Sequence, residues 1–381
     1  MHYYSGHDAT PIIMALNNAW NHPRVSQALS AMLAKNSLNP ADITVLYKLY
    51  SSADPPPVEL LRVPQFLDLL LEALFRPGSR IHSEHKPKYI YLLAYASSVY
   101  EQSIGKKSSA KKTTTNKEEL KSTLQALEKV NLICTEKQGS LELLAELASL
   151  YQCIKVSPVV ALGITEWIRY TVTEPTYFQL STDHTPLHLA LLDEVAACHV
   201  LMHQKILDLL ISLFEMPQDN LDVLVHMEVK KVLIDRMVHL LSKGCVVPVI
   251  SYVKSCFQRQ EQDVSLIRYF VVEVLDIVNP PYTAEFVSLF LPLANDDEVT
   301  GSIRNDSENV LVNQFISECT LIIMLLVLEV NANACISFLF HCSTLMDGFV
   351  EKMFICKLML IFHSLYICVW LGYCKANQSN A

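Results

Sequence analysis

Apolar residues recur at intervals of three and four along most of the 381-residue chain. This is the period of an α-helix that buries one face. Proline and small polar residues separate the amphipathic runs. Pro23 and Pro40 stand where a first-turn proline is tolerated, and Asn36 and Pro77-Gly78 are typical of helix ends. The pattern therefore predicts helices joined by short turns.

The runs that follow this pattern define the predicted helices. Their bounds are Pro11–Trp20, Pro23–Leu33, Pro40–Tyr50, Leu60–Phe75, Ser83–Ile104, Asn116–Cys134, Leu141–Val156, Pro158–Val172, Pro186–His199, Ile206–Met216, Leu221–Lys243, Val247–Gln258, Val264–Val278 and Ala284–Leu293.

The run 141–156 illustrates how a buried face is predicted. We expect its apolar face to be covered by a neighbouring helix. That face carries Leu141, Leu144, Ala145, Leu147, Ala148 and Tyr151, and the opposite face carries Glu142, Glu146 and Gln152.

Helices of this length with short connections predict an all-α fold of stacked helical hairpins, a HEAT-like α-solenoid. No strict sequence repeat supports the stacking, which follows from helix length and turn spacing alone. Two segments depart from the pattern. Residues 105–117 form a polar, basic loop, and the stretch from Cys319 to Cys374 is almost continuously apolar.

Composition narrows the class of protein. Only 9 glycines occur, which favours packed helices over folds that need phosphate loops or hairpin turns. The formal net charge of -9 argues against nucleic-acid binding over the whole surface. The 11 cysteines contain no CxxC pair, which fits reduced thiols in the cytosol or nucleus.

The sequence carries no recognisable catalytic or metal-binding motif. The chain has no G-x-S-x-G elbow, Walker loop, H-E-x-x-H helix or dinucleotide fingerprint, so we expect no enzyme activity and no cofactor. Cys198, His199 and His203 lie close together but lack a fourth ligand, so we expect core or surface histidines and no metal. The ankyrin-like string TPLHLA has no counterpart one repeat away and predicts a helix start.

The basic loop is the candidate nucleic-acid contact. Flexible ammonium groups can follow a phosphate backbone without fixed geometry. A solvated charged loop is the alternative, and the residues alone leave both open. The candidate lysines are Lys106, Lys107, Lys111 and Lys112.

Long strings of the chain resemble a known family. They are MHYYSGHDATPIIMALNNAWNHPRVSQALSAMLAKNSLNPADITVLYKLYSSADPPPVELLRVPQFLDLLLEALF, YFQLSTDHTPLHLALLDE, LLDEVAACH, DRMVHLLSKG and SLIRYFVVEVLDIVNPPYTAEFVSLFLPL. From Met1 to about Cys319 the chain is similar to the C/D subunits of negative elongation factor. The resemblance implies a horseshoe-shaped helical scaffold in the nucleus.

The same resemblance implies partners. Members of this family assemble with the A, B and E subunits of negative elongation factor, and act with the DRB-sensitivity-inducing factor to hold RNA polymerase II paused near promoters. The A and C subunits are associated with single-stranded nucleic acid through basic patches. Lys121, Lys155 and Lys243 would join the loop lysines in a surface for single-stranded RNA.

The two ends of the chain depart from the family. The family extends further on the N-terminal side, so we expect the chain to be a fragment. We expect a helical solenoid over 1–318 and an apolar tail over 319–381 with no counterpart in the family.

The apolar tail could be read as a membrane anchor. The segment from Leu358 to Cys374 is nearly long enough to span a bilayer, but Lys357 and His363 interrupt it. An erroneous chain end, such as translated non-coding sequence, is favoured over a membrane anchor. The alternative functions are a nucleic-acid-binding helical module and a membrane-associated adaptor.

Overall fold

A computed structural model describes residues 21–79, 81–103, 111–136, 140–180, 186–217, 221–260, 262–304 and 311–320. The predicted helix Pro11–Trp20, the centre of the basic loop and nearly all of the apolar tail lie outside the described residues. The chain divides into two compact units, Met1–Cys245 and Val246–Ala381. The described residues of both units are mostly helical, as the pattern predicted.

The first unit contains eleven of the described α-helices and two short 3-10 turns, Val58–Leu60 and Val200–Met202. The helices are α1 (Pro23–Lys35), α2 (Pro40–Tyr50), α3 (Pro64–Phe75), α4 (Lys86–Ser98), α5 (Lys117–Glu136), α6 (Ser140–Val156), α7 (Pro158–Val172), α8 (Tyr177–Leu180), α9 (Leu187–Cys198), α10 (His203–Glu215) and α11 (Val223–Ser242).

Proline and asparagine set the first helix boundaries where the sequence predicted them. Pro23, Pro40 and Pro158 each begin a helix. The Asn39 side chain accepts a hydrogen bond from the Ala41 N–H and caps α2. Asn36 ends α1 with a left-handed backbone, φ 46°.

The prediction was wrong at the end of the fourth helix. Ser83–Ile104 was predicted to be one helix, but α4 ends at Ser98 and Val99–Ser103 forms strand β1. Its antiparallel partner is strand β2, Lys111–Thr115, in a segment predicted to be loop. Tyrosine, valine and a run of threonines favour extended backbone over helix, which explains the hairpin.

Helix α7 occupies the centre of the first unit. Every residue from Val159 to Ile168 is buried, and the helix packs against α3, α4, α5, α6, α9 and α10. Gly163 permits the closest of these approaches, because a Cβ atom there would lie 2.5 Å from the Phe75 ring. A helix that is mostly apolar and is buried along this whole stretch is therefore the core element of this unit.

Helix α6 packs with the opposite face from the one predicted. Its buried residues include Leu143, Leu150 and Ile154, whereas Leu141 is 81% exposed and Leu144 is 53% exposed. Neighbours α5, α7 and α9 cover only the first of these faces. The stripe that includes Leu141 and Leu144 therefore faces outward.

The second unit contains α12 (Val246–Arg259), α13 (Val264–Ile277), α14 (Ala284–Ala294), α15 (Asp297–Arg304) and a helical segment at 311–320. Its core is aromatic: the ring of Phe290 lies 5.0 Å from that of Phe286 and 5.4 Å from that of Phe315. Arg268 joins α13 to α15, because its Nε donates to the Val299 carbonyl at 2.6 Å.

No helix among the described residues combines the length and the apolar character needed to cross a bilayer. The apolar segment from Leu358 to Cys374, which was considered as a membrane anchor and disfavoured, lies outside those residues.

Candidate nucleic-acid interface

The structure locates five of the seven candidate lysines. Lys111 and Lys112 lie in β2, where their backbones pair with Ser103 and Gln102. Lys121 lies on α5 and Lys155 on α6, and Lys243 is the C-cap of α11. Lys106 and Lys107 lie outside the described residues.

The base of the β-hairpin is fixed to the helices by one arginine. The Nε atom of Arg62 donates to the Ala96 carbonyl at 2.8 Å, and its Nη2 atom donates to the Val99 carbonyl at 2.5 Å. The guanidinium also lies 5.7 Å from the ring centroid of Tyr100. Arg62 thus holds the last turn of α4 and the first residues of β1 together.

The hairpin leads directly into α5. Asn116 follows β2, and its side chain accepts a hydrogen bond from the Glu119 N–H at 3.3 Å. Lys121 comes one turn later and is exposed. Among the residues whose side chains the structure describes, Lys121 forms no ion pair.

Lys155 has a counter-ion that the sequence did not reveal. Its Nζ atom lies 3.0 Å from Glu194 Oε1 on α9. The hydrogen bond to Glu194 and the charge of that carboxylate raise the pKa of Lys155. A phosphate would therefore compete with Glu194 for this ammonium group.

The neighbouring residue, Asp193, brings Lys243 into the same cluster. Burial raises the pKa of Asp193, and the positive charges of Arg236, His239 and Lys243 oppose that rise. Arg236 on α11 forms an ion pair with the Asp193 carboxylate. The charges around Lys155 and Lys243 are thus mixed rather than uniformly basic.

Sequence reasoning missed Asp193, Glu194 and Arg236 as parts of this surface. A signal was present, because Arg236 and Lys243 are seven residues apart and so share a face of α11. Consecutive acids on a nearby helix are the natural partners of such a basic face. What spacing could not supply was that α9 and α11 pack against each other.

A second charged cluster lines a cleft between α3, α7 and α10. Glu166 is 7% exposed, and its carboxylate lies 2.8 Å from Arg169 Nη2 and 2.5 Å from Lys205 Nζ. Burial raises the pKa of the nearby Asp68, against the lowering effect of Lys205. Because Glu166 is paired with two cations, the cluster is a partly buried ion-pair network and does not resemble an acid–base pair for catalysis.

The histidines near Cys198 bond to the backbone. Nε2 of His199 donates to the Ile154 carbonyl at 2.8 Å, and Nε2 of His203 donates to the Ala196 carbonyl at 2.9 Å. Within the described part of the chain, no three His, Cys, Asp or Glu side chains converge as metal ligands would.

Comparison with known proteins defines the class. The profile of the TH1 protein family matches residues 2–323, so the chain belongs to that family. It is 56% identical over 315 residues to negative elongation factor D of Sus scrofa, which covers 82% of this chain and 52% of that relative. Identity to negative elongation factor D of Mus musculus is 55% over 315 residues, with the same shares covered. The chain spans about half the length of these curated relatives, and the resemblance predicted from its strings is confirmed.

Proposed function

We propose that this chain is a helical scaffold subunit of a negative elongation factor complex. In that role it represses transcription elongation by stabilising promoter-proximal pausing of RNA polymerase II. The observation that carries the proposal is the 56% identity over 315 residues to negative elongation factor D. The role is one of assembly, not catalysis.

The proposed partners are the A, B and E subunits of negative elongation factor, together with the DRB-sensitivity-inducing factor and RNA polymerase II, in the nucleus. The relatives' name, which carries a subunit letter, supports membership of a complex. Outward-facing apolar residues such as Leu141, Leu144 and Val200 support it further, because exposed apolar surface commonly mediates contact between proteins.

Co-purification tests the scaffold role. The full chain, tagged and expressed in cells, should recover the A, B and E subunits and RNA polymerase II from nuclear extract. A tagged Gly163→Leu variant, which should fail to pack α7, serves as the control for non-specific recovery. Repeated failure of the unmodified chain to recover the A subunit would reject the proposal.

A second proposed function is contact with single-stranded RNA. Its support is the exposed Lys121 beside the hairpin that carries Lys111 and Lys112. Changing Lys106, Lys107, Lys111 and Lys112 to glutamine should weaken binding to an oligouridine strand and flatten its salt dependence, by about 0.7 in log–log slope per lost phosphate contact. The exposed Lys48 on α2, changed to glutamine, is the control.

The ion pair of Lys155 sharpens this test. Lys121→Gln should weaken RNA binding more than Lys155→Gln, because Glu194 already neutralises much of the Lys155 charge. Glu194→Gln should strengthen binding. An unchanged salt slope in the fourfold lysine variant would eliminate the RNA function and leave the scaffold function standing.

A further inference from the structure

The outer face of α6 is apolar and uncovered. Leu141 is 81% exposed and Leu144 is 53% exposed, and Ala145 and Ala148 continue the same stripe. These positions repeat at helical spacing, so they form one ridge-and-groove surface and not scattered exposed residues. Two alanines at the middle of the stripe leave room for another backbone to approach closely.

A second apolar group lies at the end of α6. Val156, in its last turn, is 44% exposed. The hydrogen bond from His199 to the Ile154 carbonyl brings the next 3-10 turn close to this end, where Val200 is 71% and Leu201 is 68% exposed. The stripe is thus apolar over its first half, from Leu141 to Ala148, is interrupted by the exposed polar residues Gln152 and Lys155, and ends beside a second apolar group of Val156, Val200 and Leu201.

The residues that flank the stripe are acidic at the start of α6, and at its end a lysine and a glutamate neutralise each other. Glu142 is exposed and Glu146 half-exposed on α6, and the exposed Glu136 ends α5 just before the turn. At the other end, Lys155 is paired with Glu194. Lys129 of α5, which lies near Cys153, is the basic residue on the other flank of α6.

We propose that the outer face of α6 docks an amphipathic helix from another protein of the complex, with an apolar stripe and with lysine or arginine where that helix meets Glu142 and Glu146. This rests on the scaffold function proposed above and assigns it a face. A helix matches the stripe because its side chains have the same spacing as the grooves of α6. Basic flanking residues complement the acidic rim.

Two other occupants fit less well. A second copy of this chain, docked through the same stripe, would set Glu142 and Glu146 against the end of α6 where Lys155 is already bound to Glu194. A nucleic acid would place phosphates against the same glutamates and against exposed leucine. The charge and the apolar stripe together therefore favour a basic, amphipathic protein helix.

The test uses the full chain and the purified A, B and E subunits, each titrated separately. Leu141→Gln combined with Leu144→Gln should reduce the affinity for one of these proteins by at least about tenfold, since central apolar contacts carry most of the binding energy. The matched control is Val223→Gln combined with Leu224→Gln, at residues 75% and 77% exposed on α11. The control should change that affinity by no more than about twofold.

A second arm tests the charge. Glu142→Lys combined with Glu146→Lys should slow association with the same protein and make binding stronger, not weaker, as salt is added. Both pairs lie at exposed or half-exposed positions, and unchanged thermal unfolding will confirm that each variant folds.

Each contrary result has its own meaning. If the unmodified chain binds these proteins and the leucine pair changes none of the affinities, the docking face is wrong and the scaffold function stands. If the unmodified chain binds none of them, both proposals fall. Two further results in the leucine variant would overturn the inference. Loss of a dimer of this chain in sedimentation would show that the face binds a second copy. Loss of oligouridine binding alone would show that it binds RNA.

Discussion

Helices α6 and α7 follow each other in the chain and meet opposite environments. Both are rich in apolar residues, and only the turn around Ser157 separates them. Helix α7 is enclosed by its neighbours from Val159 to Ile168, whereas α6 is enclosed on one side and exposes leucine on the other. The comparison teaches that apolar content alone predicts that a helix packs against something. Whether that is the rest of this chain or another molecule depends on how many neighbouring helices cover it.

The largest effect should come from filling the closest approach of α7. Gly163→Leu should lower the free energy of unfolding by about 3 kcal/mol or more, because the new side chain meets the buried Phe75 ring. Denaturant unfolding of the full chain measures this. Combining the change with Phe75→Ala should recover part of the loss.

Gly301 in α15 provides a control when alanine is introduced at Gly163 and at Gly301 in separate variants. A Cβ atom there would meet only the Asp297 Cβ at 3.7 Å. Gly301→Ala should stabilise the second unit by about 0.5 to 1 kcal/mol through helix propensity. Equal effects of alanine at both glycines would contradict the enclosure of α7.

The second effect is a pH dependence of stability that comes from His188, whose ring packs against Trp167 of α7. Burial lowers the pKa of His188 from 6.5 to about 4. In the unfolded chain His188 therefore binds a proton near pH 6.5, whereas in the folded chain it does so only near pH 4. Stability falls as the pH drops from 6.5 to 4, because the proton binds the unfolded state more tightly. The loss between pH 7 and pH 5 should be about 2 kcal/mol.

Urea unfolding at several pH values measures this contribution. His188→Gln should remove it, and the exposed His82, changed to glutamine, should leave it intact. A slope that persists unchanged in the His188 variant would show that other groups cause it.

The third effect concerns the ion pairs of Glu166. Lys205→Met should cost about 1 kcal/mol, because a buried carboxylate loses one of its two cations and Lys205 itself is partly exposed. Lys231→Met breaks the exposed pair with Glu228 and should cost close to nothing. Thermal unfolding of the two variants, side by side, makes the comparison. The prediction fails if the two costs are the same.

The smallest effect belongs to α6. Leu141→Gln should change the free energy of unfolding by less than about 0.5 kcal/mol, because its side chain is already in water. Leu150→Gln, on the buried face of the same helix, should cost several times more. A large loss from Leu141→Gln would place this stripe inside the fold.

Local chemistry made most of the fold predictable. The predicted helix Pro158–Val172 has the same bounds as α7, since Pro158 sets its start and a mostly apolar run continues to Val172. The hairpin was missed because Val99 and Tyr100 continue a helical pattern, and their extended backbone depends on pairing with Thr114 and Thr115. The all-α solenoid prediction is otherwise confirmed.

The candidate site was less predictable. Lysine content indicated the loop 105–117, and the family resemblance added Lys121, Lys155 and Lys243. The pairing of Lys155 with Glu194 depends on a contact 39 positions away along the chain, which one sequence does not reveal. The outward orientation of Leu141 and Leu144 was missed for a related reason. An amphipathic pattern states that a face is apolar and does not state what covers it.

The two hydrogen bonds of Arg62 have a consequence for how the length of the basic segment can vary in this family. One guanidinium bonds to the carbonyls of Ala96 and Val99 and so fixes the junction of α4 with β1, and the strands above it pair with each other from Val99 and Thr115 to Ser103 and Lys111. Insertions or deletions between Ser103 and Lys111 can therefore accumulate at little cost to folding. The length of the basic segment can therefore change during evolution without a change in the helices that support it.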